Sequence, residues 1–492
     1  MKHLYLTGIA ASLLLAACGG DSGGSVVTLP VTANNPPVIT TAIPDQTATV
    51  GEAFSFDASQ AFTDADNDAL TYRMTYSPAA NGLSDADGVI SGTPNLDGTV
   101  TVTVTASDGK GGQVSQDFHV TISPAGTDQN GVIAQFAGRI DLDNLENYEN
   151  QTVPDYITKL SENGNAITDA GATLGRVLFY DSALSFDDTV SCSSCHMQEN
   201  GFSDLDVQST GVDEALTERH SMRLINTQFT DATNFFWDNR ATSLEDQTTQ
   251  PIISHVEHGF SGENGRPTLE DLFTKLEGIE YYEELFTFVY GDPDVTEERL
   301  QLALAQFTKS IWSFDSKYDA GRAQVLHDFE DFPNFTAQEN LGKILFLDGP
   351  VDGGAGCQRC HLAPEFDISP LSLHNGVVAV AGAPGEFDFT NHRSPSLRDM
   401  VGPNGGSNGP FMHDGSQANL AAVINHYNRI PVPNEATARD EFLATIDPLL
   451  FDDNGNVERL NLDQAQRQQL LAFLRTLSGS SVYTDTKYSD PF

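Results

Sequence analysis

The chain reads as multidomain: an N-terminal all-β sandwich followed by two mainly α-helical domains of common design. Three observations predict this. Residues 36–123 alternate β-branched and polar residues between turn signals; an eight-residue segment occurs twice further on; and each copy runs into the same five-residue cysteine motif. The 492 residues suffice for several separate cores. Apolar residues make up only 39 %, but 42 Gly and 29 Phe describe a loop-rich folded chain, not a disordered one. With 25 Lys+Arg against 69 Asp+Glu the net charge is −44, which argues against nucleic acid as a partner and against charge-driven binding to an anionic membrane. Five cysteines is an odd count and a poor basis for a disulfide framework.

The first cysteine closes an export signal. Residues 1–18 run from Lys2 and His3 through Leu13-Leu14-Leu15 to Ala16-Ala17-Cys18: a basic start, an apolar stretch too short to span a bilayer, and small residues before the cysteine. The ending Leu15-Ala16-Ala17-Cys18 resembles the lipobox of bacterial lipoproteins. That resemblance implies cleavage before Cys18, lipidation of its sulfur, and membrane attachment through the lipid alone. Gly19 stands where an inner-membrane retention signal would place Asp, so the implied location is the periplasmic side of the outer membrane. Residues 19–35 are Gly/Ser/Thr-rich and read as a flexible tether.

Within 36–123, Thr99 to Thr105 is a period-two strand and Phe118 to Ile122 another, with Asn81-Gly82, Asp87-Gly88 and Asp108-Gly109 as turns. About seven short strands in this span predict an immunoglobulin-like sandwich. Asn35-Pro36-Pro37, Gly88 to Pro94 and Ala106 to Gly109 resemble the cadherin-like or putative-Ig modules of bacterial surface proteins. Asp64, Asp66 and Asp68 have a spacing that suits either a Ca²⁺ site or an acidic turn. Nothing here looks catalytic; the module reads as a spacer, followed by a linker at 124–135.

The chemistry lies beyond the linker. Cys192-Ser193-Ser194-Cys195-His196 and Cys357-Gln358-Arg359-Cys360-His361 both read C-x-x-C-H, the attachment pattern of c-type haem. Two thiols on one turn can form thioethers with the haem vinyls, and the adjacent His lies below the ring as an iron ligand. The alternatives are a four-cysteine zinc site and redox disulfides; neither needs a His after each pair. Leu174 to Asp181 recurs as Leu341 to Asp348, each copy preceding its motif. This predicts two fused cytochrome c-like domains, 136–330 and 331–492, binding two haem c. Thr336 to Glu339 is a capping box, and Leu300, Leu304, Phe307 and Ile311 make one apolar helical face, as do Leu470, Leu471, Leu474 and Leu477.

From Leu174 to the C-terminus the sequence resembles the bacterial di-haem cytochrome c peroxidases and their methylamine-utilisation relatives. The resemblance rests on the haem motifs and on the blocks Arg219 to Asn226, Phe236 to Ala241, Leu244 to Gln247, Pro251 to Glu257 and Phe411 to Gly415. It implies that the first haem is the peroxide site, with Gln247 and Glu257 on its distal side. A carboxylate there can move a proton between the peroxide oxygens while an amide orients the peroxide. Trp237 matches an indole between the two haems and can relay an electron.

The family's peroxidases commonly place a Met fourteen residues beyond the His of the His-Asp-Gly motif. Counted from His413 that position holds Tyr427, a residue type that the methylamine-utilisation branch uses as axial ligand of the second haem. Met412 and His426 are rival ligands. Many members also block the first haem with a His from the loop after the first motif. Residues 197–219 contain no His, and Val212 falls near that place, so the first haem is expected to be open and high-spin when oxidised. His220, Asn408 and Pro410 fall where the family builds an interdomain Ca²⁺ site, with His220 in place of a common Asn.

Three functions follow as expectations. One is a periplasmic peroxidase that reduces hydrogen peroxide to water with electrons from a small cytochrome c or a cupredoxin. Another is peroxide-dependent oxidation of a protein side chain, and the last is non-enzymatic di-haem electron transfer. Glu257 and Gln247 favour an enzyme, an oxidoreductase of the peroxidase class. No nucleic-acid partner is expected, and a homodimer is left open.

Overall fold

The computed structural model describes residues 34–123, 130–161 and 164–492. Cys18, its signal and nearly all of the tether fall outside them. The chain forms two units, Met1–Ala125 and Gly126–Phe492. Among the described residues no helix is long and apolar enough to cross a membrane.

In the first unit, Gln46–Thr49, Gln113–Ser123, Gly98–Ser107 and Thr71–Ser77 form a four-stranded sheet in that order; the first pair is parallel and the others antiparallel. Phe54–Asp57, Val89–Gly92 and Leu83–Ala86 make a second sheet. The alternation seen in the sequence explains the core. Val100, Val102, Val104 and Ala106 point inward and are buried, while the intervening Thr residues face out. They meet Phe118, Ile90 and Leu83 in one cluster, with the Phe56 and Phe118 rings 5.6 Å apart. Asp87 and Gly88 both have positive φ, 51° and 87°, as a two-residue hairpin turn of this hand requires. The carboxylate oxygens of Asp64, Asp66 and Asp68 lie within 4.8 Å of one another, and Lys110 Nζ is 2.5 Å from Asp68.

The second unit is mainly helical and holds two apolar cores. In the first, helix Asp169–Tyr180 crosses helix Glu297–Ser310; Leu300, Leu304, Phe307 and Ile311 are all buried, as their spacing predicts. In the second, helix Ala337–Leu347 crosses helix Gln464–Leu474 around Phe346, Phe366 and Phe473. Leu470, Leu474 and Leu477 are buried there and Leu471 partly so. The repeated Leu-Gly explains both crossings. A Cβ on Gly175 would collide with the Ala303 carbonyl oxygen, and one on Gly342 with that of Gln469, so only glycine lets each pair of backbones touch. The Thr336/Glu339 capping box forms.

The last stretch of the chain does not stay with the second core. Val482, Tyr483 and Tyr488 lie in the first, where Tyr488 Oη donates to the Ser310 carbonyl at 2.8 Å. Arg398 is fully buried, and its Nη1 donates to both oxygens of Asp319 at 2.9 and 3.0 Å; Tyr156 Oη donates to the same carboxylate at 2.7 Å.

Candidate active site

Each cysteine motif is a single 3₁₀ turn, Cys192–Ser194 and Cys357–Arg359, opening onto its own cavity. All four cysteines are free thiols. The two pairs line different cavities, so no four-cysteine zinc cluster forms among the described residues, and the disulfide alternative is not realised. Burial pushes the thiols up, Cys192 and Cys357 to about 12, Cys195 and Cys360 to about 11. The same burial holds His196 and His361 near 4, hence as neutral imidazoles suited to ligate a metal. His196 Nδ1 lies 3.3 Å from the Phe202 carbonyl and 3.1 Å from Ser221 Oγ, which leaves Nε2 for the cavity.

The first cavity, about 630 Å³ with its mouth, is lined by Cys192, Cys195, His196, Gln247, Glu257 and His258 among others. The residues picked out in sequence for peroxide chemistry thus meet across one space. Gln247 comes from helix Leu244–Ile253, capped by Ser243, which accepts the Asp246 N–H. Glu257 follows that helix; burial raises its carboxyl above the ordinary value, against the opposing charge of Arg240. The loop that lacks a His is fastened to the same segment: Val212 N donates to the Val256 and Glu257 carbonyls at 3.0 and 3.2 Å. Gly211 is required there, because a Cβ would strike the Val256 carbonyl. His258 is committed through Nδ1, 3.0 Å from the Leu184 carbonyl.

The second cavity, about 1650 Å³ with its mouth, is lined by Cys357, Cys360, His361, Met412, Tyr427 and Trp237 among others. His361 Nδ1 is buried without a hydrogen-bond partner among the described residues. Of the three rival ligands, Tyr427 and Met412 reach this cavity; His426 does not, and its Nε2 is 3.0 Å from the Asn375 carbonyl. Burial pushes the Tyr427 phenol well above its ordinary value, and a hydrogen bond from Asn375 opposes the shift.

Trp237 lines the second cavity and does not line the first. Its surroundings show a duplication that the sequence reading missed. Phe235 pairs with Ala241 across one tight turn and Phe411 with Gln417 across another. Phe236 and Met412 have φ of 69° and 71°, and Asn239 and Gly415 58° and 62°. Trp237 and His413 are therefore equivalent, and their rings meet edge to face at 6.3 Å. The Trp237 carbonyl accepts the N–H groups of His392 and Arg393, and the His413 carbonyl accepts that of His220. Trp237 Nε1 closes the contact by donating to the His220 carbonyl at 2.8 Å.

His220 faces the second cavity, with Nδ1 2.9 Å from the Asp206 carbonyl. Asn408 Nδ2 donates to the Asp399 carbonyl and to Tyr483 Oη, both at 2.8 Å. The His220 and Asn408 side chains are thus engaged with protein groups, which leaves the backbone carbonyls of Asn408 and Pro410 as the groups expected of a Ca²⁺ site there.

A haem fits these cavities chemically. Besides the thiols and the His, Arg223 and Arg393 line the second cavity, strongly desolvated, and neither forms an ion pair among the described residues. Arg223 Nε donates to the Arg398 carbonyl at 3.1 Å. Asp399 and Asp367 offset part of the burial of Arg223 and Arg393 respectively; a buried guanidinium left without a paired anion costs several kcal/mol, on the order of 3–5, and the propionates of a haem would supply such anions. Sequence reading passed over both arginines, since nothing local distinguishes them.

Comparison with known proteins agrees. Residues 169–324 match the family model described as di-haem cytochrome c peroxidase, and residues 36–123 the putative Ig domain. The protein is an oxidoreductase of the peroxidase type that carries a di-haem peroxidase domain behind an Ig-type module. Among individual relatives, the methylamine utilization protein MauG of Methylophilus methylotrophus is 29% identical over 332 residues, 65% of this chain and 85% of that protein. The cytochrome c551 peroxidase of Nitrosomonas europaea is 25% identical over 311 residues, 63% and 80%. In fold, the second unit resembles a MauG-like protein associated with microbial copper homeostasis (TM-score 0.54, 24% identity, 70% of this chain and 99% of that one). It also resembles a variant of the di-haem peroxidase BthA of Burkholderia thailandensis (TM-score 0.50, 20% identity, 70% and 93%).

Proposed function

We propose that the protein is a di-haem c peroxidase that reduces hydrogen peroxide to water with electrons from a small periplasmic redox protein. The observation that carries this is the meeting of Gln247, Glu257 and His196 in one cavity beside Cys192 and Cys195. Haem attached at the two motifs would supply the iron that takes up peroxide and the store of electrons, with His196 and His361 as ligands.

The chain's own residues do the rest. Gln247 orients the peroxide by hydrogen bonding. The Glu257 carboxylate accepts the proton of the peroxide oxygen nearer the iron and returns it to the departing oxygen, which leaves as water. Two electrons and two further protons complete the conversion of H₂O₂ to two H₂O. With no His in the loop at Val212, that loop offers no imidazole to close the distal face of a haem bound there in the oxidised protein. Trp237, edge to face with His413, carries electrons between the two domains. Export as a lipoprotein through Cys18 would put this chemistry on the periplasmic side of the outer membrane.

A second reading has an observation of its own. Tyr427 lines the second cavity, and a phenolate ligand stabilises ferric iron, which favours holding oxidising equivalents for oxidation of a protein side chain. Mixing the holoprotein with hydrogen peroxide and a reduced small cytochrome c separates the two. Rapid, stoichiometric oxidation of the cytochrome supports peroxidase turnover. Its absence, with the protein left in a long-lived oxidised state, overturns that reading in favour of side-chain oxidation.

A further inference from the structure

One amide lies between the two candidate ligands that reach the second cavity. Asn375 Nδ2 donates to the Tyr427 phenol oxygen at 2.9 Å and to the Met412 sulfur at 3.3 Å. The amide is held the right way round: its Oδ1 accepts the Val377 backbone N–H at 3.1 Å, a bond that a flip would turn into donor against donor. Its backbone is fixed as well. The Asn375 carbonyl meets His426 Nε2, and the next N–H, that of Gly376, is 3.1 Å from His374 Nδ1. His374 in turn lies 3.0 Å from Thr445 Oγ1. The donor is therefore preset before any ligand binds.

The two acceptors differ in what this donor does for them. A thioether sulfur is a weak acceptor and gains little. A phenol oxygen that binds iron becomes negatively charged, and a hydrogen bond to a charged acceptor is roughly twice as strong as a neutral one. The amide fills one lone-pair direction of the oxygen and leaves another for the metal. It thus favours the oxygen-bound arrangement specifically, while also restraining the sulfur.

We propose that Asn375 is a positioning residue that selects the Tyr427 oxygen over the Met412 sulfur as the axial ligand of the second haem. This rests on the reading of Tyr427 as that ligand.

The test compares the holoprotein with Asn375→Asp, Asn375→Leu and Tyr427→Phe, read by ferric absorption and by the reduction potential of the second haem. Asn375→Asp keeps an acceptor for Val377 and replaces the donor by a carboxylate oxygen, which also repels a phenolate; Asn375→Leu removes the donor without adding charge. The expected result for Asn375→Leu is a rise of about tenfold in the ratio of sulfur-bound to phenolate-bound haem, as loss of one charge-assisted bond implies, together with a higher potential. Asn375→Asp should shift the ratio in the same direction, and adding Met412→Leu to Asn375→Leu should remove the sulfur-bound form. If Tyr427→Phe leaves the parent spectrum unchanged, the ligand reading fails and the selection falls with it. If Tyr427→Phe abolishes the phenolate spectrum while Asn375→Asp retains the parent spectrum and potential, the selecting role of Asn375 alone is overturned.

Discussion

Replacing Glu257 by Gln removes the group that moves the proton while preserving shape and hydrogen-bonding capacity. Glu257 is the one carboxylate lining the first cavity among the described residues. The neighbouring His258 is a poor replacement: its Nδ1 is taken by the Leu184 carbonyl, and burial, which holds it near 4, makes its free Nε2 a weaker base than the raised Glu257 carboxylate. With only that weaker base beside it, the loss should be most of a general acid–base contribution, about 10²–10⁴-fold in kcat/KM for peroxide, or roughly 3–5 kcal/mol. The pH profile follows from the raised carboxyl. The base works only when deprotonated, so the rate should fall as pH drops through its pKa. That acid limb should lie above the ordinary Glu value of about 4.3 and disappear in Glu257→Gln. Stopped-flow measurement of peroxide consumption against pH, with haem content confirmed at two per chain, is the assay. A variant that keeps the parent rate and the acid limb would refute the role given to Glu257.

Gly342→Ala drives a methyl into the Gln469 carbonyl and should destabilise the second core by about 1–3 kcal/mol; thermal melts should show it, while Gly349→Ala, with open space around its Cβ, should not shift. Arg223→Gln removes a buried positive charge beside the second cavity and should lower the reduction potential of the second haem in spectroelectrochemical titration; an unchanged potential would contradict the propionate assignment. Trp237→Phe should slow electron transfer between the haems after reduction of one of them, with both ferric spectra unchanged; a parent-like rate would remove the indole from the path.

What could be read from the sequence was what is local or repeated. The cysteine motifs carry their chemistry in five consecutive residues. The Leu174-Gly175 and Leu341-Gly342 repeat announced a duplicated helical unit, though not the two helix crossings whose backbone contact explains its glycines. The capping box at Thr336 and the β alternation of Val100 to Val104 also depend only on near neighbours. The rest depends on distant pairs. Asn375 and Tyr427 are brought together by a loop held through His374 and Asp447, and Trp237 meets His413 only because two equivalent turns face each other. Arg223 and Arg393 reveal themselves by being buried at a cavity with no ion pair among the described residues, which no sequence pattern displays. The return of Tyr488 to the first core likewise needs the fold: its neighbours in sequence are polar and give no hint of the site it fills.

The central claim is that the cavity of Cys192, Cys195, His196, Gln247 and Glu257 holds an open, peroxide-reactive haem while the second haem is closed by an axial ligand. The ferric electron paramagnetic resonance spectrum of the holoprotein, recorded before and after one equivalent of hydrogen peroxide, tests it most directly. The account predicts one high-spin and one low-spin haem, with the high-spin signal lost on adding peroxide. Two low-spin haems that leave peroxide untouched would contradict it.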